Sequence, residues 1–312
     1  MKIFKSINVS NNYKNSILAI GNFDGVHKGH KKVFAHASRL ALKLKLKFGV
    51  LTFNPLPAMY FNKKIKNFRI NNDKQKFEQL KASGVDFLIN KKFNLDFSKK
   101  NSAYFIKNII KDKINPKFLF VSNNFRFGYN RMGNVAQLKT AAKNLGFNLV
   151  ITHPVKHKKK IISSTLIRKL LVLGNINLAN KLLSRNWSIN GTVEKGKKLG
   201  KKLGFPTCNI NIKNYVLAKP GVYAVKTKVG NVNKLINGIA NLGYRPTFAG
   251  KGIILEVNLF NVKRNLYKKE LTIYFQKFIR SEKKFKNKNA LIKQISKDIK
   301  VAKNSFVNKV IL

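Results

Sequence analysis

The sequence predicts an α/β protein of two domains. A doubly wound parallel sheet is expected over residues 1–183, and a small antiparallel β-barrel with a C-terminal helix over 184–312. Three observations carry this. Helix-period and strand-period apolar patterns alternate up to about Leu183. Beyond Trp187, short β-rich segments separated mostly by Gly- or Pro-containing loops take over. An amphipathic stretch from Asn289 to about Asn304 closes the chain. At 312 residues, each domain is long enough to bury its own core.

In order, Ile17–Ile20 reads as an apolar strand that runs into a turn with three glycines, Gly21, Gly25 and Gly29. A helix is expected from about His30 to Leu44, because Val33, Phe34, Ala37, Leu40, Ala41 and Leu44 recur at helical spacing. Lys47–Phe53 is a second strand, and Pro55 and Pro57 make a loop. Asp73 can cap a helix over Lys74–Ser83, with Gly84 as its stop signal. Val85–Ile89 reads as a strand, Asn101–Lys111 as a helix and Phe118–Val121 as a strand. A loop, Asn123–Gly133, precedes a helix at Asn134–Leu145 and a strand at Leu149–Thr152. Lys156–Lys160 is a lysine-rich loop, and Ser163–Arg168 opens a further helix. In the second domain the expected strands are Trp187–Val193, Val222–Lys228, Lys234–Ala240, Ile253–Phe260 and Leu271–Phe278.

The first turn suits phosphate chemistry. Glycine lets the main chain approach a ligand closely, and the free amides and dipole of a helix N-terminus favour an anion. His27 and His30 can donate hydrogen bonds to phosphate oxygens whose charge grows in a transition state. Alone, His-x-x-His also fits a zinc pair or surface histidines; strand, glycine turn and helix together favour phosphate. The hydroxyls of Ser163, Ser164 and Thr165 can cap the later helix, with Arg168 one turn inside. A plain capped helix with an exposed Arg is the alternative there.

Charge and cysteine content bound the setting. The chain holds 64 Lys+Arg against 11 Asp+Glu, a formal +53. The excess is spread evenly, with 36 basic and 6 acidic residues up to 183 and 28 and 5 beyond it. Such a spread reads as a solvated cationic surface, with nucleic-acid binding as the alternative. No apolar run approaches the ~18 residues of a membrane span, and the N-terminus lacks the plan of a signal peptide. With Cys208 the only cysteine, a cytoplasmic protein is expected.

Several stretches resemble those of the bacterial bifunctional riboflavin kinase/FAD synthetase family, over nearly the whole chain. In the first domain these are Gly21-Asn22-Phe23-Asp24-Gly25-Val26-His27-Lys28-Gly29-His30, Thr52–Pro55, Asn124–Gly128 and Ile162–Arg168. The first and last look like the paired ATP-binding signatures of the HxGH nucleotidyltransferase superfamily. In the second domain they are Gly200–Asn209, Gly221–Tyr223, Ala240–Phe248, Leu255–Val257 and Phe278–Arg280.

The resemblance implies two reactions with Mg²⁺ and ATP. The barrel would phosphorylate riboflavin to FMN, and the first domain would transfer AMP to FMN, giving FAD and pyrophosphate. Glu256 is implied as general base of the kinase, and Thr207 and Asn209 as the residues that hold Mg²⁺. Lys195 and Gly204 would cover the nucleotide, Pro206 would belong to the ATP- or flavin-binding segment, and Asn241 and Arg280 would lie near nucleotide and flavin; an ordinary capped turn is the alternative for Pro206–Asn209. A surface carboxylate is the plain alternative for Glu256. In the adenylyl site, His27 and His30 would stabilise the α-phosphate without a covalent intermediate. Gly21, Phe23, Asp24, Gly29, Asn124, Ser163, Ser164, Thr165 and Arg168 would bind ATP or flavin; Phe23 and Phe125 also suit core packing.

The chain departs from frequent family choices at Lys28, Leu56, Ser122-Asn123, Lys201, Asn258 and Lys268, none of which is assigned to chemistry. Rival readings are a nucleic-acid-binding protein, a zinc protein using His27, His30, His153 and His157, and a related transferase with another acceptor. The flavokinase-like second domain argues against the last.

Overall fold

Side chains alternate between the two faces of a strand, and the first sheet buries both. It consists of β1 (Lys2–Phe4), β2 (Ile17–Ile20), β3 (Phe48–Asn54), β4 (Phe87–Lys92), β5 (Phe118–Ser122) and β6 (Asn148–Thr152). Their order is β1-β4-β3-β2-β5-β6, and every neighbouring pair is parallel. Leu18, Ile20, Leu51, Ile89, Leu119 and Val121 face one core, shared with Ile109, Ile110, Leu138 and Ala142 of two covering helices. Ile17, Ala19, Phe48, Val50, Leu88 and Phe120 face the other, against Phe34, Ala37 and Ala41 of α1 (Lys28–Leu44) and Leu80. This is the doubly wound sheet that the sequence predicts. The order reverses at β2, which has β3 on one side and β5 on the other. Ligands of such sheets bind beyond the strand ends at that reversal.

The computed structural model describes the chain except for residues 66, 197–198, 213, 231, 233, 248–249, 263–264 and 308–312. The side chains of 199, 202, 244–247 and 250–252 are also left undescribed. Phe248, the last residue of one second-domain motif, thus lies outside the described residues.

Gly49 shows how tightly the sheet is covered. It pairs with Phe87 across β3 and β4, and a Cβ at Gly49 would stand 2.1 Å from Phe87 Cζ. Gly49→Val is therefore expected to cost about 1–3 kcal/mol by overpacking, read as a lower urea midpoint.

Several sequence expectations need correction. Helix α1 begins at Lys28, not His30, because the His27 side chain itself caps it. The helix expected over Lys74–Ser83 spans Asp73–Lys81, with Asp73 in its first turn, and Asp73 Oδ2 accepts from Asn54 Nδ2 at 2.9 Å. Pro57 opens a short helix, Pro57–Phe61, within the expected loop. The expected Asn101–Lys111 helix starts at Ser102–Tyr104, with Asn101 as its cap, and continues as a π-helical stretch, Phe105–Ile114. The lysine-rich loop contains a small hairpin, β7 (Lys156–His157) with β8 (Lys160–Ile161). The helix Ile176–Leu183 and strands β1 and Cys208–Asn211 are additional to the predicted elements.

The second sheet is a closed antiparallel barrel of β9 (Ser188–Glu194), β10 (Cys208–Asn211), β11 (Gly221–Val229), β12 (Leu235–Thr247), β13 (Gly250–Leu259) and β14 (Glu270–Ser281). The order around it is β10-β13-β12-β11-β14-β9, closed by pairing of β9 with β10. The C-terminal helix, Lys288–Val307, seats Ala302 on Val222, Ala224 and Ile239.

Two compact units result: residues 1–66 with 73–163, and residues 67–72 with 164–312. Helices Ser164–Val172 and Ile176–Leu183 thus pack with the barrel's unit, ahead of residue 184. Segment 67–72 is held in that unit by hydrogen bonds. Trp187 Nε1 donates to the Ile70 carbonyl at 2.9 Å, Arg185 Nη2 donates to Asn71 Oδ1 at 2.8 Å, and Val216 N donates to the Arg69 carbonyl at 2.8 Å.

Candidate active sites

In the first unit the loop after β2 carries the histidine signature. Phe23, Gly25 and Val26 take positive φ, at 47°, 81° and 38°, so the chain turns sharply between strand and helix. That turn makes His27 the cap of α1, its Nδ1 accepting from His30 N at 3.4 Å. The two imidazoles stack, with ring centroids 3.6 Å apart. Gly29 is needed for this, because a Cβ there would come within 3.0 Å of His27 Cε1. Gly21 serves similarly under Phe23, whose ring packs edge-on to His30 and against Phe34. Phe23, Asp24 and His27 are buried.

No acid lies in the first turn of α1, whereas Lys28, Lys31 and Lys32 do lie near its start. Cations there oppose the helix dipole, so an anion at this end relieves two costs at once.

Asn124 follows β5, the other strand of the sheet's reversal, and its Oδ1 accepts from Ser122 Oγ at 2.9 Å. Phe125 stacks on Phe127, which packs against Phe105, so these rings belong to the core margin. Ser163 ends the first unit, while Ser164, Thr165 and Arg168 belong to helix Ser164–Val172 of the second. Arg168 Nε donates to the Phe68 carbonyl at 2.9 Å, and its guanidinium lies 3.7 Å from the Phe68 ring centroid.

The barrel places its motif residues by register. Asn209 on β10 pairs with Glu256 on β13, and Glu256 pairs with Asn241 on β12. Asn241 pairs with Val222 on β11, and Val222 with Arg280 on β14. Paired residues share a face of a sheet. One row across five strands therefore presents Asn209, Glu256, Asn241 and Arg280 on one side.

A cavity of about 360 Å³ opens there, lined by Glu256, Asn241, Thr207, Gly200 and Arg280 among the expected residues and motifs. Lys195, Gly204, Pro206 and Asn209 are not among its lining residues. Lys195, Gly204 and Pro206 are exposed, whereas Asn209 is buried under Gly196, where a Cβ would meet Asn209 Nδ2. Asn209 Oδ1 is buried with no hydrogen-bond partner among the described residues.

Sequence reasoning missed part of the wall. Asn258 lines the cavity, and its Nδ2 donates to the Pro206 carbonyl at 2.7 Å, tying β13 to the motif loop. Leu291, Ile295 and Asp298 bring the C-terminal helix into the cavity wall, with Phe285 before it. The available signal was Asp298 itself, an acid in line with Leu291, Ile295 and Ala302 on an otherwise apolar stripe. Burial pushes the Tyr223 hydroxyl far up and the Cys208 thiol up; neither lines the cavity.

Among the described residues, no group of three or more His, Cys, Asp or Glu gathers as a metal site, and no helix is long and apolar enough to cross a membrane.

Comparison with known proteins assigns both halves. Residues 9–166 match the FAD synthetase family and residues 183–306 the riboflavin kinase family. A bifunctional riboflavin kinase/FMN adenylyltransferase of Buchnera aphidicola from Schizaphis graminum is 39% identical, over 98% of this chain and 99% of its own. The protein of that description from Escherichia coli K12 is 34% identical, over 93% of this chain and 92% of its own. A crystal structure described as a macrolide-efflux protein from Streptococcus pneumoniae shares the fold at TM-score 0.85 and 27% identity, covering 97% of this chain and 98% of that one. With one match on the parallel sheet, another on the barrel and full-length relatives that join the two, the chain belongs to the bifunctional riboflavin kinase/FMN adenylyltransferase family.

Proposed function

We propose that residues 184–312 phosphorylate riboflavin to FMN and that residues 1–183 adenylylate FMN to FAD, both with ATP, in the cytoplasm. The observation that carries this reading is the row Asn209–Glu256–Asn241–Val222–Arg280 beside a cavity with both polar and apolar lining residues. Val222, Ile239, Phe285, Leu291 and Ile295 suit the flat apolar ring of a flavin, and Glu256 stands among the polar groups. The family matches over 9–166 and 183–306 support the division of labour.

In the kinase step, a Glu256 carboxylate oxygen accepts the proton of the riboflavin 5′-hydroxyl. The hydroxyl oxygen then bonds to the γ-phosphorus of ATP, and the bond to the β,γ-bridging oxygen breaks to release ADP. Thr207 and Asn209 fit a divalent cation: both offer neutral oxygens, and the buried Asn209 Oδ1 is an acceptor awaiting a partner. Mg²⁺ held there would keep most of its coordination for phosphate oxygens and water, neutralising charge on the phosphates. Asn258 holds the Thr207 loop to β13 through Pro206, so the oxygen ligands stay beside Glu256.

In the adenylyl step, an FMN phosphate oxygen bonds to the α-phosphorus of ATP and pyrophosphate leaves. Stacked His27 and His30, the amides opening α1 and its lysines stabilise the α-phosphate. Asn124 and Ser163 hold ATP and the departing pyrophosphate.

The test is incubation of the full chain with riboflavin, ATP and Mg²⁺, followed by chromatography. FMN is expected first and FAD second. Riboflavin left unaltered by well-folded protein overturns the kinase reading, and supplied FMN left unaltered overturns the adenylyl reading.

A further inference from the structure

Arg280 is expected near nucleotide or flavin, yet its guanidinium is already engaged. Nε donates to Asp298 Oδ1 and Oδ2 at 3.0 and 2.9 Å, and Nη2 donates to Oδ2 at 2.7 Å. Nη1 donates to the Ser281 carbonyl at 3.0 Å. Asp298 is 3% exposed and also accepts from Gln294 Nε2 at 2.9 Å. Both partners line the cavity that holds Glu256.

Leu291, Ile295, Asp298 and Ala302 recur at spacings of four, three and four, so they share one face of the C-terminal helix. Ala302 seats that face on the barrel, and Leu291 and Ile295 form cavity wall. Apolar contacts are non-directional and would let such a helix slide or roll. A bidentate guanidinium–carboxylate pair fixes both distance and angle. A buried ion pair contributes little net stability compared with apolar packing, so fixing one arrangement is the better account of its presence.

We propose that Asp298 is a positioning residue of the kinase site: through Arg280 it locks the C-terminal helix in place as the wall against which riboflavin binds. This rests on the assignment of riboflavin kinase activity to the barrel.

The experiment measures riboflavin phosphorylation by the full-length chain carrying Asp298→Asn, Arg280→Gln, or both. Adenylylation of supplied FMN in the same samples reports intact folding of the other unit. Asp298→Asn is expected to raise the riboflavin KM about tenfold, with kcat within about threefold of wild type and the ATP KM unmoved. A merely structural role lowers the folded fraction, and hence apparent kcat, without moving KM. The double variant is expected to show a KM no worse than the worse single variant, because both changes break one pair.

An unchanged riboflavin KM in folded Asp298→Asn overturns the proposal, as does a double variant whose two effects multiply. Should Asp298→Asn not fold, Gln294→Ala removes only one bond to Asp298. A rise in KM of about threefold supports the clamp, and none overturns it. Wild-type protein that leaves riboflavin unphosphorylated defeats the underlying reading; variants of unaltered KM in an active background defeat the clamp alone.

Discussion

Glu256→Gln is expected to lower FMN formation by about 10²–10⁴-fold while conversion of supplied FMN to FAD continues at the wild-type rate. The substitution keeps the shape of the side chain and removes its capacity to accept the hydroxyl proton. Glu256 lies on β13 between Asn209 and Asn241, so an amide there keeps polar neighbours and the barrel keeps its register. The measurement follows riboflavin and FMN as separate substrates in one preparation. FMN formation within about tenfold of wild type would take the general-base role from Glu256.

The converse result is expected of His30→Ala. Riboflavin phosphorylation is retained and product accumulates as FMN, because adenylyl transfer falls by about 10²–10³-fold. His30 stacks on His27 and touches Phe23 edge-on, so its loss removes a phosphate donor and loosens the turn that aims the other. Capping of α1 survives, since His27 Nδ1 receives the backbone N–H of residue 30, which alanine also has. FAD produced at the wild-type rate would sink this role for the histidine.

The fold was legible where periodicity ran long enough to be unambiguous. α1 buries Phe34, Ala37 and Ala41 at helical spacing, and β2, β3 and β5 are short continuous apolar runs, as strands buried on both faces are, so all four elements can be read from sequence. β1 spans three residues and β10 has Ile210 as its single large apolar residue, so neither carries a readable period. Segment 67–72 was invisible for another reason. Its partners, Asn214, Arg185 and Trp187, lie more than a hundred positions along the chain, and no local pattern announces them.

Site residues were legible as motifs, but the motifs do not state geometry. That Asn209, Glu256, Asn241 and Arg280 fall on one row depends on strand registers that no spacing in the sequence fixes. Asp298 escaped because an acid on a helix normally reads as solvated, and only its apolar neighbours at helical spacing betray it.

The strap formed by residues 67–72 bears on how the polypeptide matures on the ribosome. Ile70 emerges 117 residues before Trp187, whose indole it receives. At about 5–20 residues per second, that wait is on the order of ten seconds. Throughout it, the nascent N-terminal half can complete its sheet only by leaving a loop of six residues unspent, held in reserve for a barrel not yet synthesised.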